Sequence, residues 1–224
     1  MNPPVPVLAG SPGVTSQPEA GIARRDVADR AAKIFVVALF TMMAVNLGVD
    51  FAQTGRSTGL LLLASEALVV VLTICRRAPL AVDRSFRARA LTTMSLVGPP
   101  LVQPATTLPL ASEMFTAVFA AIGLLIVIGG KMSLGRSFGL MPANRGIVST
   151  GLYSVVRHPI YLGYLITHVG FVLAHPTLWN LAVLGTSDLA LLTRAVCEER
   201  TLEHAAEYRA YQERVRWRVV PGLF

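Results

Sequence analysis

Two groups of polar side chains stand at the ends of apolar segments in this 224-residue sequence. The first is the run Arg157-His158-Pro159-Ile160-Tyr161-Leu162-Gly163, and the second is the acidic pair Glu198-Glu199. Two apolar segments lie between them, so a membrane hairpin would bring both groups to the same end. An arginine and a histidine facing two carboxylates would suit a zwitterion. The spacing therefore predicts a ligand site at a membrane surface.

Pro159 stands where a helix should begin, because proline at the first helical position loses no hydrogen bond. The free N–H groups and the positive dipole end of such a helix attract an anion, and Arg157 and His158 would reinforce that attraction. Arg157 can also hold a carboxylate with two parallel hydrogen bonds. Taken alone, an Arg-His pair before a membrane helix is more often a topology anchor at the headgroup level.

Arg194 lies four residues before Glu198, so the two side chains share a helix face and could simply neutralise each other. However, adjacent carboxylates at the C-terminal end of a helix oppose its dipole. That cost indicates that a ligand, a cation or a neighbouring arginine satisfies Glu198 and Glu199. Ionisable groups at membrane depth are functional candidates by default.

The composition is that of a membrane protein. Hydrophobic residues make up 53% of the chain and charged residues 15%, against roughly 25% charged residues in soluble domains. The net charge of +7 comes from basic residues that flank apolar segments, so it indicates topology and contact with membrane lipids rather than a nucleic-acid partner. Cys75 and Cys197 are too few and too far apart for a disulfide framework, and no metal site is expected.

The predicted fold is an all-α, polytopic membrane helical bundle of about five to six transmembrane helices, with a C-terminal amphipathic cytoplasmic helix. In segment 91–110 the prolines Pro99, Pro100, Pro104 and Pro109 predict either a kinked helix or a re-entrant segment. The spacing of Ala205, Tyr208, Tyr211 and Val215 predicts the amphipathic tail helix, which a short extended end follows. The predicted spans lie near 34–52, 58–75, 91–110, 114–132, 159–175 and 177–197.

The basic residues predict the orientation of the bundle. An alternating six-span arrangement leaves Arg56 alone among the 20 basic residues on one side, which places both termini in the cytoplasm. Only Lys33 and Lys131 among these residues are lysines, a usage typical of a GC-rich bacterial genome, so a bacterial inner membrane is expected. The Pro- and Gly-rich head, residues 1–33, is predicted to be mostly disordered and cytoplasmic.

The C-terminal half resembles the isoprenylcysteine carboxyl methyltransferase family. The resemblance covers about 113–224, which would form the catalytic membrane region, whereas 34–112 would form generic membrane helices. It is carried by the runs Leu134-Gly135-Arg136-Ser137-Phe138, Gly151-Leu152-Tyr153-Ser154-Val155-Val156-Arg157-His158-Pro159-Ile160-Tyr161-Leu162-Gly163 and Glu198-Glu199-Arg200-Thr201-Leu202, by Tyr208 and Tyr211, and by Pro221-Gly222-Leu223-Phe224.

The resemblance implies a site for S-adenosylmethionine, with S-adenosylhomocysteine as the product. Arg157, His158 and the helix start would suit the carboxylate of the cofactor, and one of the two glutamates would suit its ammonium group. The sequence does not decide between these glutamates. The residues mapped onto the cofactor motif and its enclosing loop are Gly151, Tyr153, Arg157, His158, Pro159, Tyr161, Glu198 and Glu199.

The implied reaction moves a methyl group to a lipophilic acceptor, either a small molecule or a lipid. A carboxylate acceptor, which the resemblance favours, is already ionised, and Arg194 could orient it. An amine acceptor must lose a proton, so Glu198 or His158 would be the candidate base. The stretch His204-Ala205-Ala206 replaces a Phe-Gly found in many family members, which bears on the acceptor.

Two other functions fit part of the pattern. Sterol-reductase-type membrane enzymes, which use NADPH, carry a similar Arg-His-Pro run, but there an asparagine and an acidic residue stand where this chain has Ile160 and Tyr164. A non-catalytic membrane scaffold is the second alternative. The presence of Arg157, Tyr161 and both glutamates argues against a scaffold, because a non-catalytic protein would have no need to retain all of them. The sequence predicts no oligomeric state.

Overall fold

The computed structural model describes residues 19–75, 86–134 and 148–224, with side chains from residue 34 onward except those of 69–75 and Ala88. These ranges contain no β-strand, and contacts group Ala38–Phe224 into one compact unit that contains the candidate site. The helices are α1 (Glu19–Thr54), α2 (Thr58–Cys75), α3 (Phe86–Val97), α4 (Glu113–Leu134), α5 (Pro159–Ala174), α6 (Leu178–Leu202) and α7 (Ala206–Arg214).

The helical membrane bundle predicted from the sequence is confirmed. Within the described residues, two helical stretches are long and apolar enough to cross a bilayer, Ile34–Thr54 and Glu113–Leu134, and Thr58–Leu68 and Pro159–Ala174 are shorter apolar helices. Apolar side chains on α4, such as Val118 and Leu125, point away from the rest of the protein. Such a face suits contact with lipid, since the bilayer interior solvates apolar groups.

Helix α1 begins earlier than its apolar part. The backbone of residues 19–33 is helical, whereas the composition predicted a mostly disordered head over 1–33; residues 1–18 lie outside the described ranges. The stretch after Glu19 is rich in alanine and arginine, and both residues favour helix. The Pro- and Gly-rich stretch lies within the first 18 residues, so it does not oppose a helix that begins at Glu19.

The segment predicted as a span over 91–110 is helical only in part. Helix α3 ends at Val97, and a 3₁₀ turn over Pro99–Leu101 follows, because prolines lack the N–H that continues a helix. The chain then runs on beside α6. Ser187 Oγ donates to the carbonyl of Ser95 (3.1 Å), and nearer the start of α6 the backbone N–H of Gln103 donates to Asn180 Oδ1 (2.9 Å). The segment thus traverses the bundle as helix, 3₁₀ turn and extended chain, and it does not turn back.

Buried polar caps fix the helix ends opposite the candidate site. Glu113 at the start of α4 accepts hydrogen bonds from the backbone N–H groups of Ser57 (2.7 Å) and Thr58 (3.3 Å), which would otherwise be unpaired at the start of α2. His175 and Pro176 connect α5 to α6, and Thr177 caps α6 by accepting from the N–H of Asn180 at 3.0 Å. These contacts fix the axial positions of the helices relative to one another.

Close packing of α4 against α5 positions the start of α5. A Cβ atom added at Gly163 would lie 2.6 Å from the carbonyl oxygen of Gly123 and 2.8 Å from the backbone nitrogen of Val127. Membrane helices approach this closely where small residues face each other. The sequence signal for this contact is only a pair of glycines in two apolar runs.

We expect Gly163→Ala to destabilise the protein by about 1–3 kcal/mol, because the added methyl group forces α4 and α5 apart. The measurement is thermal unfolding in detergent. Gly185→Ala on α6 is the matched control, since a Cβ there meets nothing within 4 Å, and it should be neutral or stabilising by up to about 1 kcal/mol. Equal unfolding temperatures for the two variants would contradict the proposed contact.

Candidate functional site

A short turn before α5 presents the first group of predicted residues. Gly151 opens a 3₁₀ turn over Gly151–Ser154 with φ of +61°, a conformation that glycine adopts without strain. Pro159 is the first residue of α5, as predicted, and His158 precedes it as the N-cap residue. Arg157 and His158 therefore lie at the helix start with their side chains directed towards the end of α6.

The C-terminal tail pairs with this turn along the backbone. Val156 and Trp217 form an isolated parallel bridge. The N–H of Arg157 donates to the carbonyl of Trp217 (2.9 Å), and the N–H of His158 donates to that of Arg218 (2.7 Å). Two N–H groups near a helix start are thus satisfied by the tail. We call residues 215–224 the tail strap.

Helix α7 holds the tail strap against the same turn. The hydroxyl of Tyr211 donates to the carbonyl of Tyr153 at 2.7 Å. The predicted apolar stripe of the tail helix is confirmed, because Tyr208, Tyr211 and Val215 form a buried cluster with Leu202 and Ala205 packed against it. Burial raises the pKa of Tyr211 to about 12, so its hydroxyl stays protonated and can donate this hydrogen bond.

Glu199 is enclosed by three basic side chains. Arg157 donates from Nε and Nη2 to its two oxygens (2.8 and 3.2 Å), Arg218 Nε donates to Oε2 (2.8 Å), and His158 Nε2 lies 3.2 Å from Oε1. The side chain is 1% exposed. Burial opposes its ionisation, yet the hydrogen bonds from His158 and Arg218 prevail and lower the pKa of Glu199, which lies beyond the predicted span 177–197, to about 2.

Glu198 faces a different set of partners and keeps some exposed surface. The hydroxyl of Tyr161 lies 2.9 Å from each of its oxygens, and Arg194 contacts Oε1 through Nε (2.9 Å) and Nη2 (2.8 Å). Its side chain is 16% exposed. The predicted Arg194–Glu198 ion pair is present, and Arg194 also stands over the ring of Tyr161, 5.7 Å from its centre. Because neighbouring residues on a helix point about 100° apart, the two glutamates have different arginine and tyrosine partners, although His158 Nδ1 also lies 3.8 Å from Glu198 Oε2.

The predicted residues therefore meet at one end of the bundle, with two differences from expectation. Arg157 was expected to grip a ligand carboxylate, but its two parallel hydrogen bonds go to Glu199, and Nη1 donates to the carbonyl of Val215 at 3.0 Å. The basic residues were interpreted as contacts for membrane lipids, whereas one of them, Arg218, binds Glu199. Nothing in the spacing of the tail singles out Arg218, since an extended segment carries no helical period.

The arrangement suits an organic ligand that carries charges of both signs. Glu198 offers a partly exposed carboxylate, and the ring of His158 stacks on that of Tyr161 beside it (5.1 Å between centres). Within the described side chains, no group of three or more His, Cys, Asp or Glu residues is placed to hold a metal ion.

Comparison with known proteins gives a class for this region. Residues 112–208 match the family model for phospholipid methyltransferases, a family that covers the isoprenylcysteine-type membrane enzymes. The match includes α4, α5, α6 and the start of α7, and thus Arg157, His158 and both glutamates. It indicates a membrane methyltransferase with a lipid-type substrate. A search of curated proteins found no match.

Proposed function

We propose that the protein transfers a methyl group from S-adenosylmethionine to a lipophilic acceptor at the cytoplasmic face of a bacterial inner membrane. The observation that carries the proposal is the division between the two glutamates. The carboxylate of Glu199 is buried and bonded to basic side chains of the protein. The side chain of Glu198, in contrast, is partly exposed and lies next to the rings of Tyr161 and His158 at the start of α5. The orientation, with both termini in the cytoplasm, rests on the distribution of basic residues.

The residues present fit the charges of this cofactor. Glu198 would meet the positively charged ammonium or sulfonium group, since a carboxylate next to a cation is a strong pairing. His158 and the start of α5 would meet the carboxylate. Tyr161 and Tyr153 would line the site. Arg157 and Glu199 would not contact the cofactor themselves. Their bonds to each other and to the tail strap would fix the position of His158.

When bound, the cofactor supplies an electrophilic methyl group on sulfur, and the protein contributes chiefly position and exclusion of water. Of the two acceptor chemistries, a carboxylate would need a free cation to orient it. Arg194 is buried, paired with Glu198 and stacked over Tyr161, so using it for that purpose would break contacts already made. This cost weakens the case for carboxyl methylation and favours an amine acceptor.

The test is calorimetry of the purified, detergent-solubilised protein with S-adenosylhomocysteine and, separately, with NADPH. We expect saturable binding of S-adenosylhomocysteine. Glu198→Gln should weaken it about 10- to 150-fold, because a hydrogen bond to a charged group contributes about 1.5–3 kcal/mol. The unfolding temperature should fall as well, because the buried Arg194 loses its charged partner, so both affinities are measured at a temperature at which both proteins are folded.

Glu207→Gln is the matched control, because Glu207 is an exposed glutamate of α7 and should bind like the wild type. Equal affinity of Glu198→Gln and the wild type would remove Glu198 from the cofactor site. Binding of NADPH alone would replace the proposal with a reductase. If neither ligand binds to folded protein, the non-catalytic scaffold becomes the better interpretation.

A further inference from the structure

A second group of ionisable side chains lies inside the bundle, away from the site described above. It consists of five residues on four helices, which we call the inner cluster: Glu66 of α2, Lys131 of α4, Tyr164 and His168 of α5, and Asp188 of α6. Glu66, Lys131 and His168 are each no more than 4% exposed. His168 is thus a buried histidine with two carboxylates as neighbours.

The contacts within the inner cluster centre on His168. Its Nδ1 lies 2.6 Å from Asp188 Oδ1, and its Nε2 lies 3.5 Å from Glu66 Oε1. Lys131 Nζ donates to the hydroxyl of Tyr164 at 2.9 Å. The bond to Asp188 is short, whereas the contact to Glu66 is long for a hydrogen bond. Of the two carboxylates, Glu66 is therefore the one that His168 holds more weakly.

The inner cluster is continuous with the candidate cofactor site. Tyr161, Tyr164 and His168 follow each other at spacings of three and four, so they line one face of α5. Tyr161 contacts Glu198, and the ring of Tyr164 stacks on that of His168 (6.2 Å between centres). A polar path therefore runs from Glu198 into the bundle. One helical turn, about 5 Å, separates each member from the next.

Burying this many charges inside an apolar bundle is costly, and such groups in membrane proteins are usually functional. Lys131 compensates one of the carboxylates of Glu66 and Asp188. The second carboxylate leaves room for one more positive charge, either a protonated His168 or the cationic group of a ligand. An acceptor amine that enters as an ammonium ion has the charge that this environment favours.

We propose that the inner cluster is the acceptor site, which takes the amine headgroup of a lipid, and that His168 removes the proton of that amine. This inference rests on the proposed function. Asp188 accepts the proton of Nδ1 in a hydrogen bond, which leaves Nε2 as the basic nitrogen. Glu66, next to Nε2, holds the ammonium group of the acceptor.

The step balances without a further reactant. One proton moves from the acceptor ammonium to Nε2 of His168, which frees the lone pair of the acceptor nitrogen. That lone pair forms the new bond to the methyl carbon while the bond between this carbon and sulfur breaks and its electron pair returns to sulfur. The imidazolium ion that results lies between Asp188 and Glu66, and two carboxylates stabilise it.

The inner cluster also offers a side on which the headgroup can enter. The side chain of Asp188 is 18% exposed, against 4% for His168 and 5% for Glu66. We therefore place the entry of the lipid on the Asp188 side of α6, within the membrane. A lipid that enters there would bring its headgroup past Asp188 to His168.

The test measures methyl transfer from S-adenosylmethionine in mixed micelles with phosphatidylethanolamine as the amine probe and N-acetyl-S-farnesylcysteine as the carboxylate probe. We expect transfer to the amine. His168→Gln should lower kcat at least about 100-fold, the usual contribution of a general base, with little change in KM. Glu66→Gln should chiefly raise the KM for phosphatidylethanolamine, because it removes the charge that holds the ammonium group.

Glu113→Gln is the control, since it also removes a glutamate charge inside the fold but lies at the opposite end of the bundle. It should keep the kcat and KM of the wild type. All three variants should bind S-adenosylhomocysteine within about threefold of the wild type. A wild type that fails to bind it, before any acceptor is added, overturns the proposed function and this inference with it.

Three other results would overturn the acceptor site alone. The first is a wild type that binds S-adenosylhomocysteine but methylates only the carboxylate probe or neither probe. The second is His168→Gln with kcat close to that of the wild type. The third is a parallel loss of S-adenosylhomocysteine affinity and thermal stability in both cluster variants, which would mean that the inner cluster only holds the helices together.

Discussion

Replacing Glu199 by glutamine is expected to abolish detectable S-adenosylhomocysteine binding and to release the tail strap from the start of α5. The wild-type carboxylate compensates Arg157, Arg218 and His158 while it is itself 1% exposed. Removing one partner of a buried ion pair leaves the remaining charges uncompensated and costs about 3–5 kcal/mol. At that cost, the ligand-binding arrangement would be populated roughly 10²- to 10⁴-fold less.

Calorimetry with S-adenosylhomocysteine and hydrogen exchange of residues 215–224 measure the two effects separately. In Glu199→Gln both should be lost together. In Glu198→Gln the affinity should fall while the tail strap keeps its protection, because Glu198 is bonded to Tyr161 and Arg194 rather than to the strap, and Arg157 still has Glu199. If Glu199→Gln bound the ligand like Glu198→Gln and kept a protected strap, Glu199 would be a ligand contact and not the structural centre of the site.

The general position of the site follows from the sequence because of the hairpin. Arg157 and Glu199 flank two consecutive apolar helices, and antiparallel neighbours joined by a short turn must bring such flanks to one end. Their pairing was therefore predictable to within a helical turn. The Arg194–Glu198 pair was predictable for the same kind of reason, since a spacing of four places two side chains on one face.

The partner of each glutamate was not predictable from local spacing. Adjacent residues on a helix point in different directions, and only the rotation of α6 against α5 decides which of them is buried. That rotation depends on contacts such as the core formed by Val127, Ile160 and Ala195, which the apolar pattern does not specify. The contact between Arg218 and Glu199 was not predictable either, because Arg218 comes from an extended segment that follows α7.

The inner cluster shows a related limit. Glu66 and Asp188 lie in separate helices and far apart in the sequence, so their spacing indicates no shared site. His168 lies in a third helix, and its position in the sequence does not specify which side chains it contacts. Only the packing of α2, α5 and α6 brings the three side chains together, and the proposed acceptor site rests on that packing.

Deleting residues 216–224 is expected to cost the protein both its cofactor site and a large part of its stability. The deletion removes Arg218 from Glu199 and the two carbonyls that accept from the N–H groups of Arg157 and His158. It also removes Val219, which is 0% exposed and packs in the core with Ile160. Loss of a buried aliphatic side chain alone costs about 2–5 kcal/mol in a well-packed core.

Arg218→Gln separates the electrostatic part of this effect from the packing part. Glu199 would keep Arg157 and His158, so we expect S-adenosylhomocysteine binding to weaken only about 10-fold, as for one charged hydrogen bond, with Val219 still in place. Leu223→Ala, at a side chain that is 82% exposed, is the control and should bind like the wild type. Because the family match ends at residue 208, a truncated protein with native affinity would place the complete site within the matched region. Loss of binding would instead make the tail strap part of the site, since carbonyl groups of the strap accept hydrogen bonds from the N–H groups of Arg157 and His158, the residues just before α5.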